Sequence, residues 1–253
     1  IYCEDCLETM RKMQTETIDM TCTSPPYDSL RTYNGYSFKF ESIANELFRV
    51  TKQGGVVVWV VGDSTKNGSE SGTSFEQALY FKKVGFNIHD TMIYLKNNFS
   101  NPANTRYHQV FEYMFVLSKG KPKTFNPIKD RKNIYIGQKS HGKRRTVDGW
   151  EENTSGQTTG EFGMRHNVWK YVTAGGVMAK DKIAHKHPAI FPEKLAEDHI
   201  LSWSAIGDII YDPMAGSGTV PKMAILNKRS YIASEISKEY CDLIDERLSL
   251  IHL

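Results

Sequence analysis

No apolar run in the 253 residues approaches the roughly 18 needed to cross a bilayer as a helix, so a helical membrane anchor within them is excluded. The first residues also show no basic stretch followed by an apolar one. Cysteine is scarce. Cys3, Cys6, Cys22 and Cys241 are too few for a disulfide scaffold, and reduced thiols in a cytoplasmic protein are expected. Cys3 and Cys6 form a C-x-x-C, but neither a second C-x-x-C nor a matching His pair completes a zinc site, and no metal is expected. A Gly-Lys-Ser/Thr loop for a triphosphate is missing, as is any internal repeat.

The composition that remains is that of a globular chain, with 40% hydrophobic and 24% charged residues. Its length suits one large domain with an insertion, or two small ones. A net charge of +3 says little about partners, but its distribution says more. Lys119, Lys121, Lys123, Lys129, Arg131, Lys132, Lys139, Lys143, Arg144 and Arg145 stand against a single acid, Asp130. That concentrates positive charge in one segment.

Residues 1 to 118 read as alternating strands and helices. Thr17 to Thr23 is a short strand halted by Ser24-Pro25-Pro26, because prolines cannot continue a ladder. Ser42 to Val50 has helical spacing, with Gly54-Gly55 as its break. The continuous apolar run Val56 to Val61 suits a strand buried on both faces. Ser74 is a candidate N-cap and Gly85 a candidate stop for a helix over Phe75 to Val84. Strands are expected over Ile88 to Leu95 and Val110 to Leu117. Residues 119–184 then lose periodicity and are read as an inserted segment outside the sheet. The rhythm returns over 185–253: a helix over Glu193 to Trp203, a strand over Asp208 to Tyr211, a helix to Leu226, a strand over Tyr231 to Ser234 and a helix capped by Ser237. Such alternation predicts an α/β fold with a mostly parallel sheet and helices on both faces.

Two loops fall at strand ends, where ligands bind in such sheets. In Asp212-Pro213-Met214-Ala215-Gly216-Ser217-Gly218-Thr219 the glycines let the backbone approach a ligand closely. A third glycine near Pro221, as a dinucleotide fingerprint needs, is lacking. Glu235 ends the next strand, where an acid can accept two ribose hydroxyls. A nucleoside cofactor with an amino-acid end in place of phosphates, S-adenosylmethionine, fits these parts. In Thr23-Ser24-Pro25-Pro26-Tyr27, Ser24 Oγ and the Pro25 carbonyl can take hydrogen bonds from both N–H groups of an amine on a base. The prolines hold that carbonyl rigidly, and Tyr27 can stack on the ring.

Together these strings resemble the β class of DNA amino-methyltransferases of bacteria and phage. Asp5-Cys6-Leu7 with Ile18-Asp19, followed by Thr23 to Tyr27, is similar to the family's opening and catalytic motif. His108 to Lys121 resembles its last strand before the recognition region. His187-Pro188-Ala189-Ile190-Phe191-Pro192 looks like the motif lining the cofactor's methionine end. Glu239-Tyr240-Cys241 with Glu246-Arg247-Leu248 resembles the closing helix. The motif order, catalytic loop first and cofactor loop last, is the one that defines the class.

The resemblance implies a Rossmann-like methyltransferase fold with a seven-stranded sheet, a catalytic half over 1–118, a target-recognition segment over 119–184 and a cofactor half over 185–253. It implies S-adenosylmethionine held by Asp5, Thr23, His187, Pro188, Phe191, Asp212, Pro213, Met214, Gly216, Ser217, Gly218, Thr219 and Glu235, with Met214 where the family usually has Phe. Ser24, Pro25, Pro26 and Tyr27 are the catalytic set. Double-stranded DNA is the implied partner, with Arg31 and Tyr33 closing over a flipped base and Lys139, Lys143, Arg144 and Arg145 on phosphates. A cognate restriction endonuclease and a second copy of the chain are further candidate partners. Serine at the head of the catalytic motif points to cytosine N4, with adenine N6 as the alternative and structured RNA as a more distant one. The absence of any Pro-Cys dipeptide argues against carbon-5 methylation through a cysteine adduct.

Overall fold

A computed structural model describes residues 1–26, 38–99, 102, 104–139, 143–152, 158–173 and 178–251. It divides into a main unit, Ile1–Asn126 with Asn167–Leu253, and a small unit, Pro127–His166.

The main unit is built on eight strands: β1 (Tyr2–Cys3), β2 (Ile18–Thr23), β3 (Thr51–Val61), β4 (Asn87–Lys96), β5 (Phe111–Ser118), β6 (Val168–Tyr171), β7 (Ile209–Asp212) and β8 (Ser230–Glu235). They lie in the order β1-β8-β7-β2-β3-β5-β4-β6. Only the pairings that involve β5 are antiparallel. The order reverses between β2 and β7: β3, β5, β4 and β6 extend the sheet on one side, and β7 and β8, with β1 at their edge, on the other. In a doubly wound sheet, that point is where ligands bind.

Among the described residues, six α-helices accompany the sheet: α1 (Cys6–Lys12), α2 (Phe40–Val50), α3 (Thr73–Val84), α4 (Glu193–Trp203), α5 (Thr219–Leu226) and α6 (Lys238–Ser249). The run Val56 to Val61 is buried throughout because both its faces are covered. Val57, Trp59 and Val61 share a core with Leu7 and Met10 of α1, Leu47 of α2 and Phe81 of α3. The Trp59 indole N–H is satisfied by Gln77 Oε1 at 2.8 Å. Val60 points the other way, beside its cross-strand partner Met114. There His199 of α4 brings Nε2 to 3.2 Å from Met114 Sδ.

Four details differ from the sequence reading. Gly54-Gly55 does not separate helix from strand: α2 ends at Val50, and β3 starts at Thr51 and runs through both glycines. Ser74 is not an N-cap. Gly72 holds that position with φ 72°, while Ser74 lies inside α3 and donates its N–H to Asp63 Oδ1 at 2.9 Å. An acid at the end of β3 thus does the capping, which no local pattern announces. Cys3 and Cys241 are not free thiols but form a disulfide across 238 residues. The fold makes them neighbours by setting β1 parallel to β8, the strand just before α6. The sheet also has eight strands where seven were expected, and β6 comes from the span read as lying outside it. β6 is a short edge strand whose register sets Val168 opposite Ile93 and Trp169 opposite Tyr94. Trp169 is buried, its ring centroid 4.6 Å from that of His199.

The small unit is narrower than the expected 119–184 segment. It contains an antiparallel hairpin, Lys143–Thr146 with Gly149–Glu152, and a pairing of Arg131–Lys132 with Phe162–Gly163. Arg165 and Asp130 form an ion pair within it.

Candidate functional site

β2, β7 and β8 are adjacent and parallel, so their carboxyl ends share one rim. β2 delivers Ser24-Pro25-Pro26, β7 delivers Asp212 and the glycine loop, and β8 ends at Glu235. All three strings border one cavity of about 1520 Å³. That exceeds the roughly 300–1,000 Å³ of a pocket for one small ligand, leaving room for two.

Of the residues expected at a cofactor, Asp5, His187, Pro188, Phe191, Asp212, Pro213, Met214, Gly216, Ser217, Thr219 and Glu235 line this cavity. Asp5 is held by its second task, accepting the Leu7 N–H at 2.8 Å as the N-cap of α1. Thr23 and Gly218 stand behind the wall. Gly218 opens α5 at φ 75°, and a Cβ there would lie 2.9 Å from Ile244 Cγ2 of α6. Gly216 has φ 51°, and a Cβ would meet His187 Nε2 at 3.1 Å. Glycine therefore lets the loop turn and lets the imidazole pack on it. That ring is fixed by the Ala189 N–H, which donates to Nδ1 at 3.1 Å, and by an edge contact with Tyr240, centroids 4.4 Å apart.

Two of the buried carboxylates that face the cavity belong to the cofactor set. Glu235 accepts the Gly216 N–H at 2.8 Å on Oε2 and the Ser237 N–H at 2.9 Å on Oε1. Burial raises its pKa, against the pull of those donors. Asp212 Oδ1 accepts the Thr23 hydroxyl at 2.8 Å and the Met214 N–H at 3.1 Å. Burial drives its carboxyl up to about 7, with the Glu235 charge adding to the effect and both hydrogen bonds opposing it. A carboxylate has two lone pairs on each oxygen, so these bonds leave Glu235 with acceptor capacity for hydroxyls of a ligand.

The glycine loop rests on a group of charges that the sequence reading did not identify. Arg247 of α6 is fully buried and donates to the Ser217 carbonyl at 2.7 Å and to Thr219 Oγ1 at 3.0 Å. Its remaining donors reach Glu193 at 2.7 Å and Asp181 at 3.0 Å. Lys222 of α5 binds the same two acids at 2.6 Å and 2.5 Å. Burial would raise the Asp181 carboxyl, but Lys222, the Ala184 N–H and Arg247 hold it down at about 2. The motif pattern marked Arg247 only as part of a closing helix, and nothing local links it to Asp181 and Glu193. Asp63, Lys96 and Glu112 also line the cavity, far from either motif in sequence.

Tyr27, Arg31 and Tyr33 lie outside the described residues. Lys139, Lys143 and Arg145 are exposed on the small unit, and Arg144 follows Lys143 on its hairpin. The site residues thus fall into two groups: the catalytic triplet with the cofactor set in the main unit, and the basic residues in the small unit.

A family model described as DNA methylase, of the N6/N4 type, matches residues 18–246. The orphan methyltransferase M.BamHII of Bacillus amyloliquefaciens is 62% identical over 235 residues, covering 92% of this chain and 89% of the relative. Among solved structures, the PvuII DNA methyltransferase, titled cytosine-N4-specific, aligns with TM-score 0.71 at 19% identity, over 99% of this chain and 86% of that one. M1.HpyAVI, solved as a complex with SAM, aligns with TM-score 0.64 at 23% identity over 98% of both.

Proposed function

This chain belongs to the DNA methylase family, and from that premise we propose that it moves a methyl group from S-adenosylmethionine to N4 of a cytosine flipped out of duplex DNA. The observation that carries the reading is the shared cavity: the Ser24-Pro25-Pro26 string and the Asp212–Thr219 loop leave adjacent parallel strands and border one space.

The residues present fit the cofactor. Gly216 offers bare backbone beside the His187 ring, where a side chain would collide. Glu235, anchored by two backbone N–H groups, is oriented for a ribose diol. Pro188 and Phe191 line the cavity for the methionine end. When bound, the cofactor supplies a methyl group made electrophilic by a positively charged sulfur.

A base amine is a poor nucleophile because its lone pair is delocalised into the ring. Ser24 Oγ and the Pro25 carbonyl accept its two N–H groups and favour a tetrahedral nitrogen. That acceptor pair would aim the freed lone pair in line at the methyl group of a bound cofactor, whose methyl–sulfur electron pair would leave with sulfur. The methylated nitrogen gives its extra proton to water, so no strong base is needed. The rate comes from positioning. Tyr27 stacks on the base, and Arg31 and Tyr33 close over it. Extrusion costs a few kcal/mol, offset in part by Lys139, Lys143, Arg144 and Arg145 on the phosphates. Residues 119–184 read the target sequence. The relative at 62% identity is called an orphan, so the reading requires no endonuclease partner.

Incubation with cofactor and mixed-sequence DNA, digestion to nucleosides and mass spectrometry tests this. N4-methylcytosine is expected, and Ser24→Ala should abolish most of it while leaving cofactor affinity near wild type. N6-methyladenine would move the target to adenine, and preferential labelling of structured RNA would replace DNA as substrate.

A further inference from the structure

The two reacting loops are tied by a hydrogen bond whose partners lie 189 positions apart. Thr23 immediately precedes Ser24, and Asp212 opens the glycine loop. The β2–β7 ladder has its last pair at Thr21 and Tyr211, short of both loops. Beyond it, Thr23 Oγ1 donates to Asp212 Oδ1 at 2.8 Å, and the same oxygen accepts the Met214 N–H at 3.1 Å. One carboxylate oxygen therefore holds both the strand end that presents the acceptor groups and the turn that seats the donor. Both residues are nearly sealed from solvent, Thr23 at 1% and Asp212 at 4% exposure, so water does not compete for the bond. Thr23 does not border the cavity, although its neighbours Ser24, Pro25 and Pro26 do.

We propose that Thr23 and Asp212 form a positioning pair that sets the distance between the amine held at Ser24–Pro25 and the methyl donor, with Thr23 taking no part in cofactor binding. The inference rests on the methyl-transfer reading above. In-line displacement tolerates little error: a misplacement of about 1 Å can cost on the order of a hundredfold in rate. Arg247 and Glu235 fasten the glycine turn to α6 and β8, and the Thr23 bond is what ties that turn to the end of β2. A buried hydrogen bond to a carboxylate is strong enough to fasten them.

The test is Thr23→Val, which removes the hydroxyl and keeps the shape, assayed for kcat on DNA, calorimetric cofactor affinity and thermal midpoint. Expected are a roughly ten- to hundredfold loss in kcat, cofactor affinity within about twofold of wild type, and recovery of most of the rate in Thr23→Ser. Thr23→Ala removes the same hydroxyl with less bulk and serves if the valine variant does not fold. A lower midpoint with kcat unchanged would overturn the pair, leaving Thr23 a merely structural residue. Weakened cofactor binding with normal turnover at saturation would overturn it too, placing Thr23 at the cofactor. If wild type transferred no methyl group at all, this inference and the reading beneath it would fall together; transfer by wild type with an indifferent Thr23→Val sinks this one alone.

Discussion

At the residue scale the site is governed by carboxylates kept from water. Asp212 shows the consequence most clearly, because burial lifts its carboxyl from 3.8 to about 7. Between those two values the folded chain holds a proton that the unfolded chain has released. Each step up in pH across that window therefore costs stability, and the cost is complete above about 7. Asp212→Asn removes this titration. Thermal midpoints of wild type and variant measured from pH 4 to 8 should diverge in the variant's favour as pH rises. A gap that narrowed with pH would contradict burial as the dominant influence on this group. Ser24 and Glu235 could be picked from the sequence because each sits at a strand end inside a recognisable string. Asp63 could not, since its work of holding α3 by the Ser74 N–H depends on a contact that only the folded chain makes.

At the scale of elements, the parallel strands and their helices were legible because each carries its own pattern. Val56 to Val61 announces a strand covered on both faces, and Glu193 to Trp203 and Lys238 to Ser249 fall where helical spacing puts them. The short edge strand β6 was not legible, because four residues hold too little periodicity to stand out from a polar loop. The charge cluster under the glycine loop was hidden for another reason: Asp181, Glu193, Lys222 and Arg247 come from four separate segments. Arg247 binds both the loop and the acids, so its loss would strand buried charges. Arg247→Met should lower unfolding free energy in urea by about 3–5 kcal/mol and weaken cofactor binding through Ser217 and Thr219. Arg11→Met, on a side chain 60% exposed in a surface pair, should shift stability by no more than about 0.5 kcal/mol. Equal effects from the two variants would remove the cluster from the loop's support.

At the scale of the whole molecule, the fold returns the last helix to the first strand. The Cys3–Cys241 disulfide closes that junction beside Glu235, which is the register partner of Cys3. A link spanning most of the chain restricts the unfolded ensemble. Cys3→Ser should therefore cost about 2–4 kcal/mol under oxidising conditions and nothing once dithiothreitol is present. A midpoint indifferent to the substitution in oxidising buffer would show that the bridge contributes nothing to stability. Joining the two ends of the chain also sets β1, β8, β7 and β2 side by side, and this brings an acceptor loop near the start to a donor loop near the end. That juxtaposition is the central claim. A crystal structure of the protein with S-adenosylhomocysteine tests it most directly. The ribose hydroxyls should rest on Glu235 and the sulfur should face Ser24 Oγ and the Pro25 carbonyl across the cavity; a ligand bound elsewhere, or seated with its sulfur turned away from Ser24, would contradict the account.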